Sequence, residues 1–248
     1  MISARRFSQS FPGFWAELLP LLTPSFVHMV NENFISVVPI AREVPKASEE
    51  SDSAVIAECA FYLARMASER NVTAHELCLE SGLPNQALRK ALKEVSRFEG
   101  VEAPEPFPLT KPEWEEVVAL ARNYQHFLWR KSSGRTVVFH PVVQGAGFID
   151  SCEADLSVGE SLFEVKTVNR NLAGKDMRQL IVYLALQSAT GERQWSRAGF
   201  FNPRRAIFHE FDIDDLVPQM AGGKTAGEVF HEIISFACQS DMPTDYAF

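Results

Sequence analysis

The sequence predicts an α/β protein in which helices flank a mixed central sheet and a mainly helical region precedes it. Three observations carry this. Helical stripes dominate up to residue 97. A stretch with four prolines and a glycine, 98–112 (FEGVEAPEPFPLTKP), then interrupts them, and proline continues neither a helix nor a central strand. Beyond it, helix-length and strand-length patterns alternate, as in layered α/β folds. The chain therefore divides into a helical region, 1–105, and an α/β region, 106–248.

Each element follows from local pattern. The polar run 44–53 (VPKASEESDS) reads as a loop. Val55, Ile56, Cys59, Tyr62, Leu63 and Met66 form one stripe of a helix over 53–70. Thr73 and Glu76 make a capping box that starts the next helix, which runs to Gly82. Pro84-Asn85 open another through Arg97, with Leu77, Leu83, Leu88, Leu92 and Val95 facing a shared core. Segment 73–97 thus resembles a helix-turn-helix, with Asn85, Gln86, Arg89, Lys90 and Lys93 exposed on its second helix. Two short helices about a glycine also occur in many domains that never touch DNA.

In the second region, Thr110 and Glu113 cap a helix through about Lys131 whose apolar side is Trp114, Val117, Val118, Ala121, Tyr124 and Leu128. Strands are expected at Val137–Phe139, Val142-Val143, 154–158, 161–167, 198–202 and 206–211, with a helix over about 175–188. Thr225 and Glu228 cap a last helix ending near Ser240.

Hydrophobic residues at 46% and charged residues at 23% exclude collagen-like, coiled-coil and wholly disordered chains. The formal net charge of −8 argues at first against a nucleic-acid partner. Yet residues 164–206 hold eight basic against three acidic residues, a local basic excess within an acidic chain. Four scattered cysteines without a CxxC pair suggest free thiols in a reducing cytosol. No clean signal peptide and no run of about 18 apolar residues is found, so a cytoplasmic protein with no membrane span is expected.

The chemistry concentrates in ADLSVGESLFEVKT, residues 154–167. Gly159-Glu160 suits a two-residue hairpin turn with Gly at the first central position. Folding about it sets Val158 opposite Ser161, Ser157 opposite Leu162, Leu156 opposite Phe163 and Asp155 opposite Glu164. Lys166 shares the Glu164 face, and Glu153 would fall opposite Lys166. Leu156, Phe163 and Val165 pack inward on the other face. Opposed carboxylates need compensation, from the Lys166 ammonium or from a hard divalent cation such as Mg²⁺. On spacing alone, a cross-strand acid and lysine cluster on a surface hairpin fits equally well.

Asp155 followed by Glu164-Val165-Lys166 resembles the PD-(D/E)xK nuclease superfamily, with Ala154 where the family name has Pro. Gln179-Leu-Ile-Val-Tyr183 resembles the Gln-x-x-x-Tyr motif of its RecB-like branch, its two polar residues on one helical face. With the strand AGFFNPR, the resemblance to RecB-like nuclease domains of prokaryotes covers about residues 112–217. It implies a restriction-endonuclease-like core and a metal-dependent nuclease that hydrolyses DNA phosphodiesters. Asp155 and Glu164 would be metal ligands, joined by the Val165 carbonyl, for Mg²⁺ or Mn²⁺. Lys166 would orient or help deprotonate the attacking water and stabilise phosphate charge, and Gln179 and Tyr183 would position nucleic acid or support the metal site. Arg170, Lys175 and Arg178 would meet phosphates. A further acidic residue among Glu113, Glu115 and Glu116, and an upstream histidine, His126 or His140, are open. Gly147-Phe-Ile-Asp150 also resembles the form in which RecB-like nucleases present their first aspartate, but only the Asp155 register gives direct opposition. The competing function is a catalytically idle nuclease-like module that binds DNA or a protein, with the helical region as recognition or oligomerisation surface. A helix-turn-helix regulator with an unrelated α/β domain is the third reading, and it expects the Asp155/Glu164 face to be buried or ion-paired.

Other signals are structural on the same reading. Gly222-Gly-Lys-Thr225 lacks the first glycine of a P-loop, since Pro218 stands there. His209 and His231 read as surface residues, Arg204 and Arg205 as a solvated turn, and Phe200 and Phe201 as facing opposite sides of a strand, with one buried.

Overall fold

The computed structural model describes residues 1–49, 52–80, 82–100, 102, 109–191 and 194–239. Its elements in chain order are α1 (Ala4–Gln9), α2 (Pro12–Leu18), α3 (Pro24–Asn33), β1 (Ile35–Val37), α4 (Ser53–Arg70), α5 (Ala74–Leu79), α6 (Leu83–Glu99), α7 (Lys111–Ser132), β2 (Val137–Phe139), β3 (Val142–Val143), β4 (Cys152–Glu153), β5 (Leu156–Val158), β6 (Ser161–Val165), α8 (Gly174–Ser188), β7 (Arg197–Asn202), β8 (Ile207–Asp212), α9 (Ile213–Met220) and α10 (Ala226–Ala237). The expected capping boxes form at Thr73/Glu76, Thr110/Glu113 and Thr225/Glu228. Helix α9 was not expected, because Pro218 lies inside it. The proline-rich stretch falls largely outside the described residues, as does the expected helix end at Ser240.

Six strands form a mixed sheet in the order β1-β8-β7-β6-β5-β2. Only β6 and β7 run parallel, and α8 makes the crossover a parallel pair requires. Strands β3 and β4 form a separate two-stranded sheet.

Helices cover both faces. On one, α1, α2, α8, α9 and α10 pack around Phe7, Trp15, Leu180, Val182 and Phe200. On the other, α4 to α7 pack around Leu63, Leu92, Tyr124, Phe127, Phe163 and Phe201. Phe200 and Phe201 do point to opposite faces, and both are buried. Gly199 lets β7 and β8 approach closely, since a Cβ there would stand 2.1 Å from the His209 carbonyl oxygen.

Residues before and after position 105 share both cores. Strand β1 pairs with β8, Val38 N–H donates to the Ala206 carbonyl and Val44 N–H to the Arg204 carbonyl. Arg204 and Glu116 form a fully buried ion pair. The second Glu116 oxygen accepts the Ala47 N–H, and Arg204 donates to the Val44 carbonyl. Arg204 is therefore an interior clamp on segment 42–47 rather than part of a solvated turn.

Candidate active site

The β5–β6 hairpin forms three of the four expected pairs, Leu156 with Phe163, Ser157 with Leu162 and Val158 with Ser161, while Asp155 lies just outside the ladder and is not paired with Glu164 in it. Gly159 takes a positive φ of 57°, which only glycine adopts at little cost. Asp155, just before β5, turns its carboxylate across to β6, where Oδ2 accepts the Val165 N–H at 2.6 Å. Glu164 is the penultimate residue of β6, which lies between β5 and β7 in the sheet, and is 4% exposed. Its Oε2 is buried without a hydrogen-bond partner among the described residues. Burial, then the charge of Glu164, pushes the Asp155 carboxyl well above the usual range, against the pull of Lys166 and the Val165 N–H.

Lys166 occupies the centre of the cluster. Its Nζ lies 2.8 Å from Glu164 Oε1, 3.1 Å from Gln179 Oε1 and 3.8 Å from Asp176 Oδ1. Burial pulls its pKa down, but Glu164, Asp155 and Asp176 outweigh it and hold the ammonium above its ordinary value. Helix α8 brings Gln179 and Tyr183 to one face, and the Gln179 amide donates to Tyr183 Oη at 2.8 Å. Burial and the two carboxylates raise the Tyr183 hydroxyl well above its usual range, so it stays protonated. All five polar side chains expected at the site, Asp155, Glu164, Lys166, Gln179 and Tyr183, are thus assembled.

Three other residues enter the cluster unannounced by sequence. Asp176 opens α8, accepting the Ala173 N–H at 2.8 Å and a two-pronged pair from Arg170. Glu58 of α4 is near enough to raise the Asp155 pKa, and burial, then Glu94, pushes Glu58 itself to about 7 against Arg97. Tyr124 of α7 is buried within reach of both Asp155 and Glu58. The (i, i+4) spacing of Glu58 and Tyr62 on a stripe otherwise apolar was the only hint of the α4 contribution.

The helical glutamates have other work. Glu113 caps α7, Glu115 is exposed 3.8 Å from Lys111, and Glu116 holds Arg204. Glu153 does not oppose Lys166: the chain breaks pairing at Ala154, and Glu153 pairs with Val142 in the small sheet. Its Oε2 lies 3.4 Å from His140 Nδ1. His140, at a positive φ of 53°, donates its N–H to the Asp155 carbonyl at 3.0 Å. His126 stands near Arg122 on α7. Asp150 is joined through its N–H to the Ile2 carbonyl.

The expected phosphate-binding residues differ in availability. Lys175 is exposed. Arg170 is held by Asp176, and Arg178 donates to the Ser8 carbonyl at 2.7 Å and lies over the Trp15 ring.

Among the described residues, no group of three or more His, Cys, Asp or Glu side chains is arranged to hold a metal ion. The donors on hand are hard oxygens: Asp155, Glu164 with its unbonded Oε2, and the Val165 carbonyl. One or two carboxylates completed by water and substrate oxygens is the donor set Mg²⁺ takes, so these residues fit that ion. No helix among the described residues is long and apolar enough to cross a membrane. No family model, curated protein or solved structure matches the chain.

Proposed function

We propose that this protein is a metal-dependent nuclease that hydrolyses DNA phosphodiester bonds at the Asp155–Glu164–Lys166 cluster. One observation carries the reading: Glu164 Oε2 is buried and unbonded beside an Asp155 carboxyl crowded by the same charge. A purely structural ion-pair cluster gains nothing from leaving an oxygen of a buried carboxylate unsatisfied. A cation site does.

Asp155, Glu164 and the Val165 carbonyl would hold Mg²⁺, which when bound supplies Lewis-acid activation of water and of the phosphoryl oxygen. Lys166 keeps its proton between Glu164 and Gln179, placing a positive charge where phosphate charge develops. Gln179 holds that ammonium in line and is itself held by the Tyr183 hydroxyl. Asp176 anchors the start of α8 and sets the depth of Gln179 below the hairpin.

The burial of Glu164 and its ion pair with Lys166 are what the third reading, a helix-turn-helix regulator with an unrelated α/β domain, expects, and they are also compatible with the competing reading, an idle nuclease-like binding module. Incubation with linear, circular and single-stranded DNA in Mg²⁺, Mn²⁺ or EDTA separates the nuclease from the idle module. Cleavage that needs the cation and is lost in Lys166→Ala and Asp155→Ala is expected. Binding without cleavage under every condition favours the idle module, and cleavage surviving EDTA or both substitutions sinks the mechanism.

A further inference from the structure

The basic excess of residues 164–206 is mostly engaged inside the protein. Asp176 holds Arg170, the Ser8 carbonyl holds Arg178, Glu116 holds Arg204, and Asn171 Oδ1 holds Arg205 at 2.7 Å. Of the expected phosphate contacts only Lys175 is left exposed, so a phosphodiester strand at the site has to meet its further cations elsewhere. An exposed set lies on α6, where Arg89, Lys90 and Lys93 all face solvent. Helix α6 carries four basic residues against two acidic ones in a chain of net charge −8. One of those acids, Glu94, is paired with Arg97.

Contacts run without a break from the candidate site to this helix. The Asp155 carbonyl accepts the His140 N–H at 3.0 Å. The His140 ring stacks on Phe61 at 4.6 Å and meets the Tyr62 ring edge-on at 5.9 Å. Lys90 Nζ lies 5.7 Å from the centroid of that Tyr62 ring. His140 holds this path in a left-handed conformation that is strained for a residue other than glycine.

We propose that Arg89, Lys90 and Lys93 of α6 form a phosphate rail that carries the substrate strand to the Asp155–Glu164–Lys166 site. The proposal rests on the nuclease reading and names its substrate surface. A recognition helix reads bases with residues near its N-terminus. These cations instead sit in the middle of α6, with Lys90 over the Tyr62 ring, so they contact backbone and not sequence. Binding is then sequence-independent and steeply salt-dependent. Glu58, Glu94 and Glu153 border the path and keep it from holding phosphate outside the rail.

The test is fluorescence anisotropy in EDTA with labelled single-stranded DNA, duplex DNA and RNA, using wild type, Lys90→Glu/Lys93→Glu, Lys90→Gln/Lys93→Gln and Lys224→Glu. Lys224 neighbours α10, in the helix layer on the far face of the sheet from α6. The expected result is binding weakened about tenfold or more by the double Glu change and less by the Gln pair. The salt slope falls by about 2, one per lysine, and Lys224→Glu leaves binding intact. Unchanged binding in Lys90→Glu/Lys93→Glu, with cation-dependent cleavage still present in wild type, overturns the rail and leaves the nuclease reading standing. A wild-type protein that neither binds nor cuts any of the three nucleic acids overturns both. Tighter binding of RNA than of DNA keeps the rail and reassigns the substrate.

Discussion

Asp155 Oδ2 accepts the Val165 main-chain N–H at 2.6 Å, so a side chain on one strand of the hairpin fixes the backbone of the other beside Glu164. The aspartate is placed there against its own charge. Burial and Glu164 both favour its protonated form, and a residue held in this way marks a site built for something other than stability.

Asp155→Asn keeps an oxygen for the Val165 N–H and removes the charge conflict. Thermal unfolding should shift upward by about 2–4 °C, equivalent to about 1 kcal/mol in a chain of this size, while cleavage is lost. Mg²⁺ should raise the wild-type midpoint by mass action and leave that of Asp155→Asn unchanged. Differential scanning calorimetry with and without the cation checks both.

Lys166→Met leaves Glu164 buried without its cation. The expected loss is about 3–5 kcal/mol, read by urea denaturation, together with a fall in kcat of about 10²-fold or more. Adding Glu164→Gln should restore much of the stability and none of the activity. A double-variant loss equal to the sum of the Lys166→Met and Glu164→Gln losses would show that the two residues are not coupled.

Arg204→Met should cost a similar amount, since it strands Glu116 in the interior and frees the Val44 carbonyl. Arg204→Met/Glu116→Leu should recover only part of it, because the Ala47 N–H also loses its acceptor. Amide exchange over residues 42–47 should quicken in both.

Two groups tilt the pH profile in opposite senses over nearly the same window. His209 is buried on β8, its Nε2 has no partner among the described residues, and burial lowers its pKa from 6.5 to about 4. Between those values the unfolded chain binds the proton and the native state does not. Its contribution is therefore intact above pH 6.5 and lost as the pH falls to about 4. Glu58, raised from 4.5 to about 7, works the other way: its contribution is present below 4.5 and lost as the pH rises through 7. In urea midpoints measured from pH 4 to 8, His209→Gln should rise less than wild type between pH 4 and 6.5, and Glu58→Gln should rise more than wild type between pH 4.5 and 7.

The hairpin was legible in sequence because a turn glycine and a period of two fix register locally, and the α8 pair was legible because i and i+4 share a helical face. Glu153 was misplaced because the same alternation, extended backward, gives no sign that the chain leaves the sheet at Ala154. His209 was taken for a surface residue amid acidic neighbours, yet it is 4% exposed, since α3 and β1 cover β8. Beyond its i, i+4 spacing to Tyr62, Glu58 carries no sign of its role: almost a hundred residues separate it from Asp155, and the packing of α4 on α7 brings it near. The same holds for Arg204, whose buried partner lies on a helix 88 positions earlier.

The pairing of β1 with β8 also has a consequence for how the chain is made. Residues 35–37 leave the ribosome long before residues 207–209, the strand they pair with. During that interval Val37 and Val38 have no sheet to join, and segment 42–47 has no arginine to close on it. The protein's slowest folding contacts are thus between its early and late thirds. A synthesis pause placed before residue 204 would prolong that exposed state.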